Sequence, residues 1–167
     1  MQNVIKLEKL IITHRTWRWC QLSYPGHPKG CQNYGKKQGC PPDVSMIDEV
    51  LDMEKPYYFI YSEFDLAAHE KRMKEKHPKW SDKQARCVLY WQGAARKKLR
   101  RAIRDFYLNC KDIINSSGVR YPHMIWECPE AYGVNVYATA AAHGLKLERI
   151  KGLKICRHVA LVGRNKN

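Results

Sequence analysis

The sequence predicts an α+β fold: a small antiparallel sheet with helices on one side and an irregular cysteine-bearing loop. Three observations lead there. Short aromatic and β-branched runs alternate with longer stretches of helical period. Two strand-like segments near the C-terminal end are joined by a short turn at Lys151-Gly152, which favours antiparallel pairing. Residues 19–42 lose all periodicity yet hold Cys20, Cys31 and Cys40; so long an irregular stretch is functional, or is held by something other than a core. With 167 residues, 44% of them hydrophobic, the chain suits one domain over 1–167 with a real core.

Each element has its own signal. Residues 4–12 fit a strand or a short helix, with their β-branched content favouring the strand. Tyr24-Pro25-Gly26-His27-Pro28-Lys29-Gly30 is turn chemistry throughout. Ser45 with Asp48 fits a variant capping box, and Ile47, Val50 and Leu51 share one helical face until Pro56. Residues 57–61, aromatic and β-branched, make the strongest strand. Asp65 caps a helix over 66–76. Ser81 and Gln84 form a second capping box opening a long basic helix over 81–109, where Val88, Gln92, Ala95, Leu99, Ala102 and Phe106 line one face. Residues 115–118 are a loop. Residues 134–143 read as a helix of small residues with Gly144 as its C-terminal cap, and 145–150 and 156–162 as the closing strands.

Composition narrows the class. Thirty Lys and Arg against sixteen Asp and Glu leave a net charge of +14. No apolar run approaches the roughly 18 residues of a membrane span, and residues 1–18 lack the apolar core of a signal peptide, so a cytoplasmic protein is expected. Seven cysteines cannot all pair, and a reducing compartment disfavours disulfides. Crowding of three in one loop is the pattern of metal ligation, whereas single cysteines in periodic segments, such as Cys87, Cys110 and Cys156, are the pattern of core packing. The alternative for the loop is free thiols in a turn-rich stretch. Gly26, Gly30, Gly35 and Gly39 permit the tight turns that convergence of three thiols requires. No C-x-x-C pair is present, so an ordinary zinc ribbon and a thioredoxin-like motif are excluded. No P-loop, G-x-S-x-G, H-E-x-x-H or G-x-G-x-x-G occurs either.

Residues 31–42, Cys31-Gln32-Asn33-Tyr34-Gly35-Lys36-Lys37-Gln38-Gly39-Cys40-Pro41-Pro42, resemble the C-P-N-Y-G-x4-C-P-P block of a family of predicted metal-binding proteins (domain of unknown function 2284). A second block of that family, C-R-x-P-x3-R-P-S-x-E-A-x-G-I-D-V-x-A-T-A, resembles residues 119–140 in register, from Val119-Arg120-Tyr121-Pro122 to Glu130-Ala131-Tyr132-Gly133-Val134-Asn135-Val136-Tyr137-Ala138-Thr139-Ala140. Further cysteines typical of the family around this block are missing: Val119 replaces one, only Cys110 remains upstream, and Cys128 stands where relatives often have Ser. The resemblance implies one metal centre on Cys20, Cys31 and Cys40. Cys128, beside Pro129 in the second block (119–148), is the first choice for a fourth ligand, with a buried core thiol as its alternative; His27 and Cys156 rank below it. Thiolates suit zinc or an iron–sulfur cluster, and the Gly- and Pro-rich loop with long spacings leans toward the larger iron–sulfur group.

The positive charge suggests a second class of function. Lys97, Arg100, Arg101 and Arg104, with Arg96 beside them, form a stripe on the long helix, and Lys36 and Lys37 add charge within the cysteine loop. Such a surface fits nucleic acid or another polyanion, with Trp17, Trp19 and Tyr34 available for stacking; the plain alternative is a solvated helix face. His123 and Glu127 are candidates for proton transfer near Cys128, against a reading as loop polarity. Two functions therefore stand: a metal-binding protein with a redox or cluster-dependent role on a substrate, and a basic nucleic-acid-binding module whose metal is purely structural. A metal-free thiol protein is the third.

Overall fold

The computed structural model describes residues 3–24, 26–109, 123–148 and 152–166. Its strands are β1 (Val4–Lys6), β2 (Tyr58–Asp65), β3 (His123–Trp126) and β4 (Ile155–Arg164), and its α-helices α1 (Ile47–Val50), α2 (Leu66–Lys76), α3 (Asp82–Ala85), α4 (Gln92–Asn109) and α5 (Val136–Ala142). The sheet runs β1-β2-β4-β3 with every pair antiparallel, as an α+β fold requires. Cys110, the loop at 115–118, the start of the second block at Val119 and the turn at Lys151 lie outside the described residues.

Strand alternation splits the core between two faces. On one face Tyr58, Ile60, Ala160 and Val162 meet Leu99, Ile103 and Phe106 of α4, and Phe64 and Cys156 meet Leu66, Trp91 and Ala95. The two longest helices thus share one side. The other face is covered too, by short helices rather than by irregular loop alone: Phe59, Leu161 and Trp126 pack on Ile47 of α1 and on Val136 and Ala140 of α5. Both faces must be covered because the first half of β2, Tyr58-Phe59-Ile60-Tyr61, is apolar or aromatic at every position.

Four expectations change. The segment 4–12 joins the sheet only over β1; Leu10 and Ile12 leave it to pack against the second core face, where Ile12 makes a single antiparallel bridge to Val134. The first helix begins after Met46 rather than Ser45, and its start has no side-chain cap. The helix over 81–109 is broken: the Ser81–Gln84 capping box forms, but α3 lasts four residues, and a 3-10 turn at Val88–Tyr90 precedes α4. Residues 145–148 are not a strand; Leu145 is buried and Leu147 packs on the same core without strand pairing, while 149–150 lie outside the described residues.

Candidate metal centre

Cys20 does not sit in an irregular loop but near the end of a 3-10 helix, His14–Gln21, opened by Thr13, whose side chain accepts a hydrogen bond from the Arg15 N–H. This helix is pinned to the second block. Thr16, fully buried, donates its hydroxyl to the Glu130 carbonyl at 2.9 Å, Trp17 donates Nε1 to the Ala131 carbonyl at 2.8 Å, and the Thr13 N–H donates to the Gly133 carbonyl at 2.7 Å. Trp19 meets Tyr137 edge-on at 5.7 Å. Trp17 and Trp19 therefore hold the site together rather than standing ready to stack bases.

The remaining thiols arrive on turns. The Cys31 N–H donates to the Cys20 carbonyl at 2.6 Å, which sets the two cysteines side by side. Gly30, at φ +84°, makes that approach possible: a Cβ there would lie 2.5 Å from the Cys20 carbonyl oxygen. The Gly35 N–H then donates to the Pro41 carbonyl at 2.8 Å and the Cys40 N–H to the Lys37 carbonyl at 3.0 Å, closing the turn that carries Cys40. Cys128 precedes a 3-10 turn, Pro129–Tyr132, whose Ala131 N–H donates to the Cys128 carbonyl at 3.0 Å.

Electrostatics shows the four thiols as one neighbourhood. Burial pushes the Cys20 thiol up to about 11, and the negative charges that Cys31, Cys40, Glu130 and Cys128 carry when ionised push the same way. Burial likewise raises the Cys128 thiol, with Glu130 adding to the effect and Arg96 opposing it. Cys128 is nonetheless exposed at the surface, which removes the reading of it as a buried core thiol. Among the described residues, no three His, Cys, Asp or Glu side chains stand close enough together to grip one metal ion. The cysteines converge within charge range of one another without single-ion geometry. As a donor set, four sulfurs, two of them on the Gly-rich turns around Cys31 and Cys40, fit a soft metal or a sulfide cluster in chemistry.

Other predicted residues separate from this group. Cys156 is buried among Phe64, Leu66, Trp91 and Ala95, a core thiol. His27 stays with its own turn, its ring 4.5 Å from that of Tyr24. Lys36 and Lys37 are exposed. On α4, Lys97, Arg100, Arg101 and Arg104 are exposed as a stripe, but Arg100 is tied to Glu127 by two hydrogen bonds of 2.9 and 3.1 Å. That pair holds the Glu127 carboxyl below its usual range. His123 spends its carbonyl on the Tyr107 hydroxyl.

Three residues that sequence reasoning passed over join the site. Burial raises the Glu130 carboxyl, which lies among the thiols. Tyr132 is raised by burial and then by Cys40 and Cys128. Arg96 acts on Cys128, Glu127 and His158 together. Glu130 had a local signal, two positions after Cys128-Pro129; Arg96 had none beyond membership of the basic stripe.

A family model described as "Predicted metal-binding protein (DUF2284)" matches residues 3–163. Comparison with curated proteins and with solved structures returns no match.

Proposed function

The chain belongs to this family of predicted metal-binding proteins, and from that premise we propose that it carries one thiolate metal centre on Cys20, Cys31, Cys40 and Cys128. The observation that carries the proposal is geometric: the Cys31 N–H donates to the Cys20 carbonyl at 2.6 Å, and Cys40 and Cys128, 88 positions apart in sequence, line one cleft. An iron–sulfur cluster is the favoured occupant. A cluster is larger than one ion and suits thiolates carried at long spacings on a Gly- and Pro-rich loop. Held there by four thiolates, a cluster would supply one-electron chemistry; the chain contributes the thiolates, the tight turns and the partial exclusion of water. A cytoplasmic location agrees with dependence on reduced thiols, and among the described residues no helix is long and apolar enough to cross a membrane.

The test is metal and sulfide analysis of protein purified without oxygen. Iron with equal sulfide and a broad visible absorption is the expected result, whereas a colourless protein with one zinc would remove the redox role. Cys31→Ala and Cys40→Ala should lose the bound metal and Cys87→Ala should keep it. Equal retention in all three would end the assignment.

A second reading rests on a separate observation, the exposed cationic face of α4 from Arg96 to Arg104. In that reading the metal is structural and the stripe neutralises phosphates of a nucleic acid. Binding should then weaken steeply with salt, and Arg101→Ala should reduce the salt slope by about one. Salt-independent binding would contradict it.

A further inference from the structure

β3 pairs with β4 only as far back as Leu161, opposite Trp126. Among the described strands nothing pairs with the preceding half of β4 on that side. Over this half of β4, unpaired on that side among the described strands, lies a cleft of about 920 Å³, walled by the Cys40 turn, the first turns of α4, the Trp126–Cys128 corner and residues 146–148. Its size is that of a small-molecule site. Cys40 and Cys128 both line it, so two of the four thiols border the cleft.

The lining is cationic, and its cations divide into two sets. Arg100, Lys146 and Arg157 are held by Glu127, Glu148 and Glu63. Lys37, Arg96 and Lys154 also line the cleft and have no ion-pair partner among the described residues. Arg96 is the central one, close enough to Cys128, Glu127 and His158 to act on the charge of each. His158 lines the same cleft, and its buried Nδ1 has no hydrogen-bond partner among the described residues. An unpaired guanidinium facing the cleft, beside an apolar wall that includes Leu99 and Trp126, is what an anionic group on an organic body would satisfy, while the His158 Nδ1 lies closed off behind the lining.

We infer that this cleft binds a small organic oxyanion, a phosphate ester or a carboxylate, with its charged group against Arg96 and its body reaching toward Cys40 and Cys128. A concave site of this volume favours a small molecule over a polynucleotide, which would instead follow the convex stripe of α4. The inference deepens the metal-centre reading and rests on it for what the ligand would meet. The binding itself needs no metal.

The experiment therefore uses chelator-treated full-length protein in 0.3 M salt (a level of about twice physiological, chosen to screen loose surface charge). Calorimetric titration with pyrophosphate and, separately, with citrate should give saturable binding by at least one; which of them binds distinguishes the phosphate from the carboxylate source. Arg96→Ala should weaken that binding about tenfold or more, and Lys83→Ala, a distant exposed lysine on α3, should leave it unchanged. Because Arg96→Ala could disturb α4, a second readout uses the unaltered protein: saturating probe should slow alkylation of Cys128 by iodoacetamide several-fold and leave Cys87 unaffected. No saturable binding by either probe, equal binding in both variants, or equal slowing at both cysteines would overturn the inference. Loss of anion binding is read here without metal, and loss of metal is read in the Cys→Ala series without the anion, so the two proposals fail separately.

Discussion

Gly30 and Gly26 have nearly the same backbone angle, φ +84° and +80°, and very different surroundings. A Cβ at Gly26 meets nothing within 4 Å, whereas one at Gly30 would strike the Cys20 carbonyl oxygen at 2.5 Å and the Gln21 backbone at 2.7 Å. Gly26→Ala should therefore cost only the left-handed backbone strain, about 1 kcal/mol. Gly30→Ala adds a clash between two backbones that neither can relieve by rotamer change. We expect about 2–4 kcal/mol from it, a Tm lower by roughly 5–15 °C, and loss of metal as Cys31 is levered from Cys20. Thermal unfolding and metal content of the two variants check this, and equal Tm values would refute it. At this scale the sequence was readable in part. Glycine between clustered cysteines announces tight turns, and all four loop glycines do take positive φ. What it could not announce is that Gly30 rests on Cys20, or that Arg96 and the distant Cys20 and Cys40 come together with Cys128 and Glu130. Those contacts exist only once the second block docks on the 3-10 helix at His14–Gln21.

Among the elements, the most instructive departure is the broken helix before α4. A continuous three-and-four pattern through Val88, Gln92 and Ala95 reads as one helix, but the residue that needs burial is Trp91. It is 1% exposed, lies flat on Phe64 with ring centroids 5.2 Å apart, and donates Nε1 to the Arg86 carbonyl at 3.1 Å. A regular helix from Ser81 onward cannot aim both Ala85 and Trp91 at the core, since six residues advance the face by about 240°. The chain resolves this with a turn at Val88–Tyr90. Trp91→Ala should cost about 3–5 kcal/mol, because it removes the anchor that fixes the start of α4, and with it Arg96, over the sheet. Ser81→Ala should cost about 1 kcal/mol, since it loosens only the four-residue α3. Urea denaturation separates these values, and similar costs would mean that the capping box rather than the tryptophan sets the break. Alternation at Leu145, Leu147 and beyond misled for a related reason. A half-buried irregular segment shows the same period as a strand, and pairing is decided by whether a neighbour's edge is in reach.

For the whole molecule, the α+β class was legible because the apolar run of β2 and the amphipathic α4 each demand a specific kind of partner, a covered sheet and a core face. Its stability toward acid follows from charge. A net charge of +14 already opposes compaction, and the seven histidines would add to it as pH falls. Two of them resist protonation in the fold: burial lowers His69 below its usual value with Arg72 contributing, and burial lowers His158 with Arg96 contributing. Above about pH 6.5 both are neutral whether the chain is folded or not, and neither affects stability. Below it the unfolded chain takes up protons that the folded chain refuses, so stability falls with pH until the folded values are passed. Salt should relieve the general repulsion but not the burial of an imidazole whose Nε2, at His69, has no partner among the described residues. The expected result is a Tm lower at pH 5.5 than at 7.5, restored only in part by 0.5 M salt, a concentration that shrinks the screening length to about 4–5 Å. His69→Phe keeps an aromatic ring tilted against Phe64, now with centroids 5.6 Å apart, and removes the titrating nitrogen. It should narrow the salt-resistant part of the difference while leaving the salt-sensitive part intact. A His69→Phe protein with the full acid dependence of the parent would place that sensitivity in the net charge alone.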